Sequence, residues 1–75
     1  MSKVYVTEGG YFNEYGQFCG TGILGVEKDP KFAVRFPIEK GCYRHKVTRD
    51  SLGFDITYKS SFSKRGYRVT SIDEF

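Results

Sequence analysis

Hydrophobic and polar residues alternate along most of this chain, and the longest such stretch runs from Lys31 to Arg49. Residues 32–36 (FAVRF) and 43–48 (YRHKVT) change character at almost every step, a period of two that is typical of half-buried strands. A turn at residues 29–30 precedes this stretch, and a proline and a glycine between the two runs favour a chain reversal. We therefore predict a β-hairpin that forms the centre of a sheet, with Tyr43, His45 and Val47 facing the core and the basic residues on the solvent face.

The same pattern predicts four further strands and the connections between them. Glycine and polar residues predict a long loop at residues 8–17, and a tight turn or one turn of 3₁₀ helix at residues 50–53, where Leu52 closes one end of the core. Residues 60–65 read as a hairpin loop, and the alternation stops at Ile72, which predicts a bulge or a strand end. The predicted strands cover residues 3–7, 18–28, 54–59 and 66–72, with Phe54, Ile56, Tyr58, Tyr67 and Val69 facing inward.

The composition supports an all-β fold with one domain over residues 1–75. The chain has one Ala and two Leu, against six Val, four Ile, five Thr, six Tyr and seven Phe. Good helix formers are therefore scarce, while β-branched and aromatic residues are abundant. A small single sheet would leave one apolar face in water, so we expect two layers or a barrel. Gly20, Gly22 and Gly25 in the second predicted strand favour the bulges and bends that such a sheet needs to curl.

The predicted layout resembles the SH3-like small barrels, the group that includes KOW and Tudor modules. The residues that carry the resemblance are Val4–Gly10, the GTGILGV run Gly20–Val26, FAVRF (Phe32–Phe36) and the Asp50–Leu52 turn. Tyr11–Phe18 departs from it, because a KOW module has a shorter segment there. The resemblance implies a five- to six-stranded antiparallel barrel with at most one 3₁₀ turn, and a role in binding nucleic acids or peptides.

Cysteine content and hydropathy favour a protein of the cytoplasm. Cys19 and Cys42 fit no zinc or redox spacing, and two reduced thiols are the ordinary state of such residues in the cytosol. The N-terminus MSKVYVTEGG has no apolar signal region, and no apolar run approaches the length of a membrane span. We expect a soluble chain without a cofactor, either monomeric or dimeric through an edge strand.

Catalysis is poorly supported by the residues present. His45 is the single histidine, it falls on the inward register of a predicted strand, and no nucleophile or acidic pair lies at a suitable spacing. Two cysteines and one histidine at unrelated spacings also rarely form a metal site. We therefore expect a protein that is not an enzyme and holds no metal.

Charge is distributed unevenly, and this asymmetry is the sharpest functional signal. Residues 31–70 hold ten of the twelve basic residues and three of the nine acidic ones. Such a segment is typical of a polyanion-binding surface, although ordinary solvated strand positions would give the same composition. A consecutive meander would place the cations on one solvent face to bind phosphates, with Phe62 positioned to stack on a base. The predicted nucleic-acid-binding residues are Arg35, Arg44, Lys46, Lys59, Phe62, Lys64, Arg65 and Arg68.

Two partners fit these residues. The first is nucleic acid, either DNA or RNA, bound by the basic face and by loop aromatics. Tyr11, Phe12 and Tyr15 are candidates for that role, although packing of their loop onto the barrel explains them better. The alternative is an acidic protein, bound by a protein-interaction module such as a phage or mobile-element accessory or inhibitor protein.

Overall fold

The computed structural model describes residues 2–51 and 53–74, with Glu74 described by its backbone alone. Its elements are β1 (Ser2–Phe12), β2 (Phe18–Glu27), α1 (Pro30–Glu39), β3 (Cys42–Asp50), β4 (Gly53–Ser60) and β5 (Arg65–Glu74). All five strands pair antiparallel in one sheet with the order β2-β1-β5-β4-β3. The predicted all-β antiparallel class is therefore confirmed, but the sheet is open between β2 and β3, where α1 crosses from one edge to the other.

Helix α1 replaces the strand that the alternation in FAVRF predicts. Asp29 is the N-cap, and its Oδ1 accepts a hydrogen bond from the Lys31 backbone N–H at 2.9 Å. Pro30 occupies the first helical turn, where a missing N–H matters least. Gly41, with a φ of 82°, adopts the left-handed conformation that commonly follows a helix. The residues that suggest a turn before a strand are therefore the start signals of a helix.

The alternation in residues 32–36 is too short to distinguish a strand from a helix. In α1 the buried residues are Ala33 and Pro37, four apart, and Val34 and Phe36 pack beside them against the core. Phe32, which a strand would bury, is 58% exposed. The expectation of at most one 3₁₀ turn is therefore wrong, and the loss of this strand from the sheet leaves the predicted barrel unclosed.

The core lies between α1 and one face of the sheet, called the helix face. Neighbouring strands place Thr7, Val69 and Ile56 in one row across this face, and Tyr67 and Tyr58 in the next. All five side chains are buried, at most 7% exposed. The inward orientation predicted for Ile56, Tyr58, Tyr67 and Val69 is thus confirmed, and the half-buried Phe54 stacks on Tyr5 with ring centroids 5.5 Å apart.

Two further expectations are corrected by the pairing of the strands. β1 continues to Phe12, so the predicted loop at residues 8–17 shrinks to residues 13–17, in which the Asn13 side chain accepts hydrogen bonds from the backbone N–H groups of Tyr15 and Gln17. β5 passes Ile72 with no register shift against β1. Leu52 lies outside the described residues, so its predicted role in the core has no outcome.

Strand β3 also departs from its predicted orientation. Tyr43, His45 and Val47, predicted to face the core, are exposed because β3 is an edge strand and a register shift separates Arg44 from Lys46. The bulges expected from the glycines of β2 are confirmed, since the β1–β2 pairing shifts at two places. Within the described part of the chain, no helix has the length and apolarity that crossing a membrane requires.

Candidate nucleic-acid interface

Antiparallel pairing collects three connections at one end of the sheet, called the loop end. β1 ends opposite the start of β5, since Tyr11 pairs with Arg65, and β3 starts opposite the end of β4, since Cys42 pairs with Ser60. The connections are residues 13–17, 40–41 and 61–64. The Phe12 N–H donates to the Lys64 carbonyl at 2.8 Å, and a Cβ at Gly41 would lie 3.8 Å from the Phe62 ring. The connection at residues 61–64 therefore lies beside both the end of β1 and the connection at residues 40–41.

Four exposed aromatic side chains lie at this end. Phe62 is 91% exposed and Tyr15 is 79% exposed, each near the tip of its connection. Tyr11 and Tyr43, at the adjoining strand ends, are about half exposed. A fully exposed phenylalanine contributes nothing to the core, so Phe62 is available to a ligand. Of the three loop aromatics Tyr11, Phe12 and Tyr15, only Phe12 is buried, so packing of the loop explains one of the three.

Four cations accompany these aromatics, and none forms an ion pair with an acidic side chain within residues 2–51 and 53–73. Two of them lie across aromatic rings, with Lys40 Nζ 5.5 Å from the Phe36 centroid and Lys59 Nζ 5.7 Å from the Phe12 centroid. Two cross-strand pairs each put a cation beside a tyrosine, Tyr43 with Lys59 on the face away from α1 and Tyr11 with Arg65 on the helix face. The four cations are Lys40, Lys59, Lys64 and Arg65.

The chain is electrically polar along its strands, and its long dimension is 38 Å. Glu14 is the one acidic residue within the three connections of the loop end. The opposite end, where β2, β3 and β5 finish and β4 begins, carries acidic residues from four elements together with the N-cap of α1. These are Glu27, Asp29, Asp50, Asp55 and Asp73, and because Lys3, Lys28, Lys31 and Arg49 lie among them, that end is close to neutral, whereas the loop end has an excess of cations. The loop end is therefore the surface that favours an anionic partner.

The structure divides the predicted basic face between several surfaces. Arg35 is on α1, where its guanidinium lies 3.3 Å from the Glu39 carboxylate. Arg44 lies on the helix face of β3 opposite Tyr58, whereas Lys46 lies on the other face opposite Thr57. The single solvent face expected from a consecutive meander is therefore absent, because the first strand of that meander is a helix and the register shift in β3 puts Arg44 and Lys46 on opposite faces.

The remaining predicted residues fall into two groups. Arg68 donates to Glu8 from both Nε, at 3.1 Å, and Nη2, at 2.5 Å, so its charge is already neutralised. Lys59, Phe62, Lys64 and Arg65 gather at the loop end. The structure adds Lys40, Tyr11, Tyr15 and Tyr43 to them, and of these four the sequence pattern singled out only Tyr11 and Tyr15.

The face of the sheet away from α1, called the open face, holds a trough of three glycines near the loop end. Gly10 pairs with Gly20 on one side and with Gly66 on the other. The Phe12 ring lies so close over Gly66 that a Cβ there would overlap it, and a Cβ at Gly10 would be 2.8 Å from Phe18 Cζ. Two of the three glycines thus lie under aromatic rings, whereas the Glu8 side chain occupies the space beside Gly20.

The trough curls the sheet over the open face. Phe12 of β1 meets His45 of β3 with ring centroids 5.0 Å apart, although two strands separate β1 from β3. In a flat sheet those strands would lie about 14 Å apart, at ~4.8 Å a step. The curl encloses a cleft of about 330 Å³ in which Gln17 and Phe18 face His45, Lys46 and Arg68. This cleft adjoins the loop end, and side chains of both charges, Lys46 and Asp55, line it.

Two buried side chains have shifted pKa values. Burial raises the pKa of the Cys42 thiol, and the Arg65 guanidinium beside it opposes the rise. Burial likewise raises the pKa of the Tyr58 hydroxyl, against the smaller opposing effect of Arg44. Cys42 and Cys19 are free thiols. Since both shifts favour the protonated, less reactive form, they indicate packing rather than an activated nucleophile.

No protein-family model matches this chain, and no curated protein or solved structure is significantly similar to it. The structure supports the resemblance to small barrels only to the extent that the chain forms a small, curled, five-stranded antiparallel sheet.

Proposed function

We propose that this chain is a non-enzymatic protein that binds single-stranded nucleic acid, DNA or RNA, at its loop end. The observation that carries the proposal is the exposed Phe62 ring, which lies in the same connection as Lys64 and next to Arg65. Proteins that bind single strands combine cations along the backbone with aromatic rings on which bases stack. Phe62 and Tyr15 supply the stacking surfaces, and Lys40, Lys59, Lys64 and Arg65 neutralise phosphates.

The geometry favours a single strand over a duplex. A base can stack on Phe62 only when its own face is free, which pairing and stacking within a duplex prevent. The curl of the open face and the strand order, in which every consecutive pair except β2 and β3 are neighbours, support the finer proposal of an SH3-like small barrel opened by α1. KOW and Tudor kinship rests on the resemblance alone.

Replacing the Phe62 ring tests the stacking contribution. We expect Phe62→Ala to weaken binding to a labelled mixed-sequence single strand about fivefold to more than a hundredfold, because one stacked base contributes about 1 to 3 kcal/mol. Fluorescence anisotropy measures the affinity. Phe32→Ala is the matched control, since Phe32 is also an exposed phenylalanine but lies on α1. Equal affinity of Phe62→Ala and wild type, or a loss shared by Phe32→Ala, would contradict the proposal.

The salt dependence of binding tests the role of the cations. Each phosphate neutralised on a single strand contributes about −0.7 to the slope of log affinity against log salt. The double variant Lys64→Ala/Arg65→Ala should therefore make the slope shallower by about 1.4. Lys28→Ala/Lys31→Ala, at the opposite end, removes the same charge and should leave the slope within about 0.3 of wild type. An identical slope in both double variants would show that net charge, rather than this end, attracts the strand.

An acidic protein is the alternative partner, because the same cations and exposed tyrosines suit a protein interface. In that case the chain would be an interaction module of the kind that phages and mobile elements use against host proteins. Capture from a nuclease-treated lysate separates the two proposals. A partner protein retained after digestion, and lost with Lys64→Ala/Arg65→Ala, supports the alternative.

A further inference from the structure

The open face carries an apolar patch that no part of the described chain covers. Called the open-face patch, it lies on β1, β2 and β5 towards the end away from the loops, and Val6 pairs there with Val26 while Val4 pairs with Ile72. Ile23 is 69% exposed, Val26 57% and Ile72 47%. Helix α1 packs on the helix face and Phe12 lies over the glycine trough, so neither reaches it. The patch consists of Val4, Val6, Ile23, Val26 and Ile72.

The solvent-accessible surface of the chain is larger than expected for a folded monomer of its mass. Its solvent-accessible surface is 5282 Å². A folded monomer of 8.6 kDa exposes about 4,700 Å². The surplus of about 600 Å² is close to the ~800 Å² that each partner buries in an interface of standard size. A covering surface of that area would bring this chain to the exposure expected of its mass.

We propose that a second copy of this chain covers the open-face patch, with the two open faces packed about a two-fold axis. The five patch residues are uncharged, and the ion pair that borders them, Glu8 with Arg68, is neutral in itself. A charged partner would find no complement there, whereas an identical apolar face is complementary under two-fold symmetry. Branched valine and isoleucine side chains on a sheet also interdigitate well when two sheets pack about 10 Å apart.

The edges of the sheet are less suited to joining two copies. β3 carries Arg44, Lys46 and Arg49, so two such edges would bring like charges together. β2 has two register shifts against β1, and bulges of this kind disrupt the regular hydrogen-bonding row that an added strand needs. Pairing face to face avoids both obstacles and leaves the loop ends of both copies free.

Sedimentation equilibrium over about a hundredfold range of protein concentration tests this proposal. The weight-average mass of the wild type should rise from the mass of one chain towards that of two, since the interface is at the small end of the known range. In Val26→Lys/Ile72→Lys the dimer dissociation constant should increase at least about tenfold, because a desolvated lysine on each copy opposes association. Both positions are exposed, so the fold should survive.

The matched control is Phe32→Lys/Ile38→Lys, which adds the same charge at two equally exposed apolar positions on α1. It should dimerise like the wild type. A second measurement, nuclear Overhauser effects between labelled and unlabelled copies, should connect the methyl groups of Val4, Val26 and Ile72 across the interface. A wild type that stays monomeric throughout, a dimer that only the control variant disrupts, or intermolecular contacts confined to α1 or the strand edges would each overturn the proposal.

Discussion

Gly66→Ala should destabilise this protein by about 3 kcal/mol, towards the upper end of what overpacking a core produces. A Cβ at this position would overlap the Phe12 ring and would lie 2.5 Å from the Tyr58 carbonyl oxygen. The ring cannot move aside freely, because Phe12 is 3% exposed and touches both Phe18 and His45. A domain of this length has about 4 to 11 kcal/mol of stability in total, so most of it would be lost. Urea denaturation followed by circular dichroism measures the change.

Gly22→Ala is the control for this experiment. Gly22 lies on edge strand β2, where a Cβ would meet nothing within 4 Å. Alanine loses less backbone entropy on folding than glycine, so this variant should match the wild type or gain about 0.5 kcal/mol. If Gly66→Ala proved as stable as Gly22→Ala, the Phe12 ring would not be packed tightly against Gly66.

The orientation of β4 and β5 could be predicted because the middle of each strand has one buried face. Ile56, Tyr58, Tyr67 and Val69 are buried at every second position, and that alternation is visible in the sequence. Edge strands give no such signal. In β3 both faces are exposed beyond Cys42, so the alternation of Tyr43 to Thr48 reflects no buried face. The predicted orientation of β3 was therefore wrong, because no buried face determines which of its residues are hydrophobic.

Helix α1 escaped prediction for a different reason. Its sequence contains two phenylalanines, a valine and an internal proline, all of which are poor helix formers. Tertiary packing overrides those propensities, because Ala33 and Pro37 fit closely against the sheet and bring Val34 and Phe36 with them. The available signal was Asp29 followed by Pro30, an N-cap and first-turn pair that also fits a turn.

Only part of the candidate interface could be predicted, because the rest of it depends on the order of the strands in the sheet. Lys59, Phe62, Lys64 and Arg65 are close in sequence, so their grouping needs only a hairpin. Lys40, Tyr11 and Tyr15 join them because β1, β4 and α1 all finish at the same end of the sheet. Which elements finish at one end depends on the strand order, and the strand order could not be predicted while α1 was taken for a strand. The same error placed Arg35 and Arg44 on a face that they do not share.

The glycine trough links the fold to the proposed function. Phe12 closes the trough, and its backbone N–H holds the Lys64 carbonyl at 2.8 Å. The connection that carries Phe62 is therefore tied to a ring buried under the curled sheet. A stacking residue held on a fixed connection loses less conformational entropy on binding than one on a free loop. The packing of Phe12 should thus influence both stability and affinity.

Phe12→Ala should accordingly have the largest effect of the substitutions considered, about 3 to 5 kcal/mol, since it removes a buried phenylalanine and leaves a cavity over Gly66. Phe32→Ala removes the same side chain from an exposed position on α1 and should change stability by less than about 1 kcal/mol. Thermal and urea unfolding monitored by circular dichroism compare the two.

The double variant Phe12→Ala/Gly66→Ala tests whether the ring and the glycine are in contact, because the new methyl group then occupies part of the space that the ring vacates. Its destabilisation should be smaller than the sum of the two single changes by at least about 1 kcal/mol, as expected of residues in direct contact. Strict additivity would mean that ring and glycine do not touch, and the curl of the open face would then need another cause.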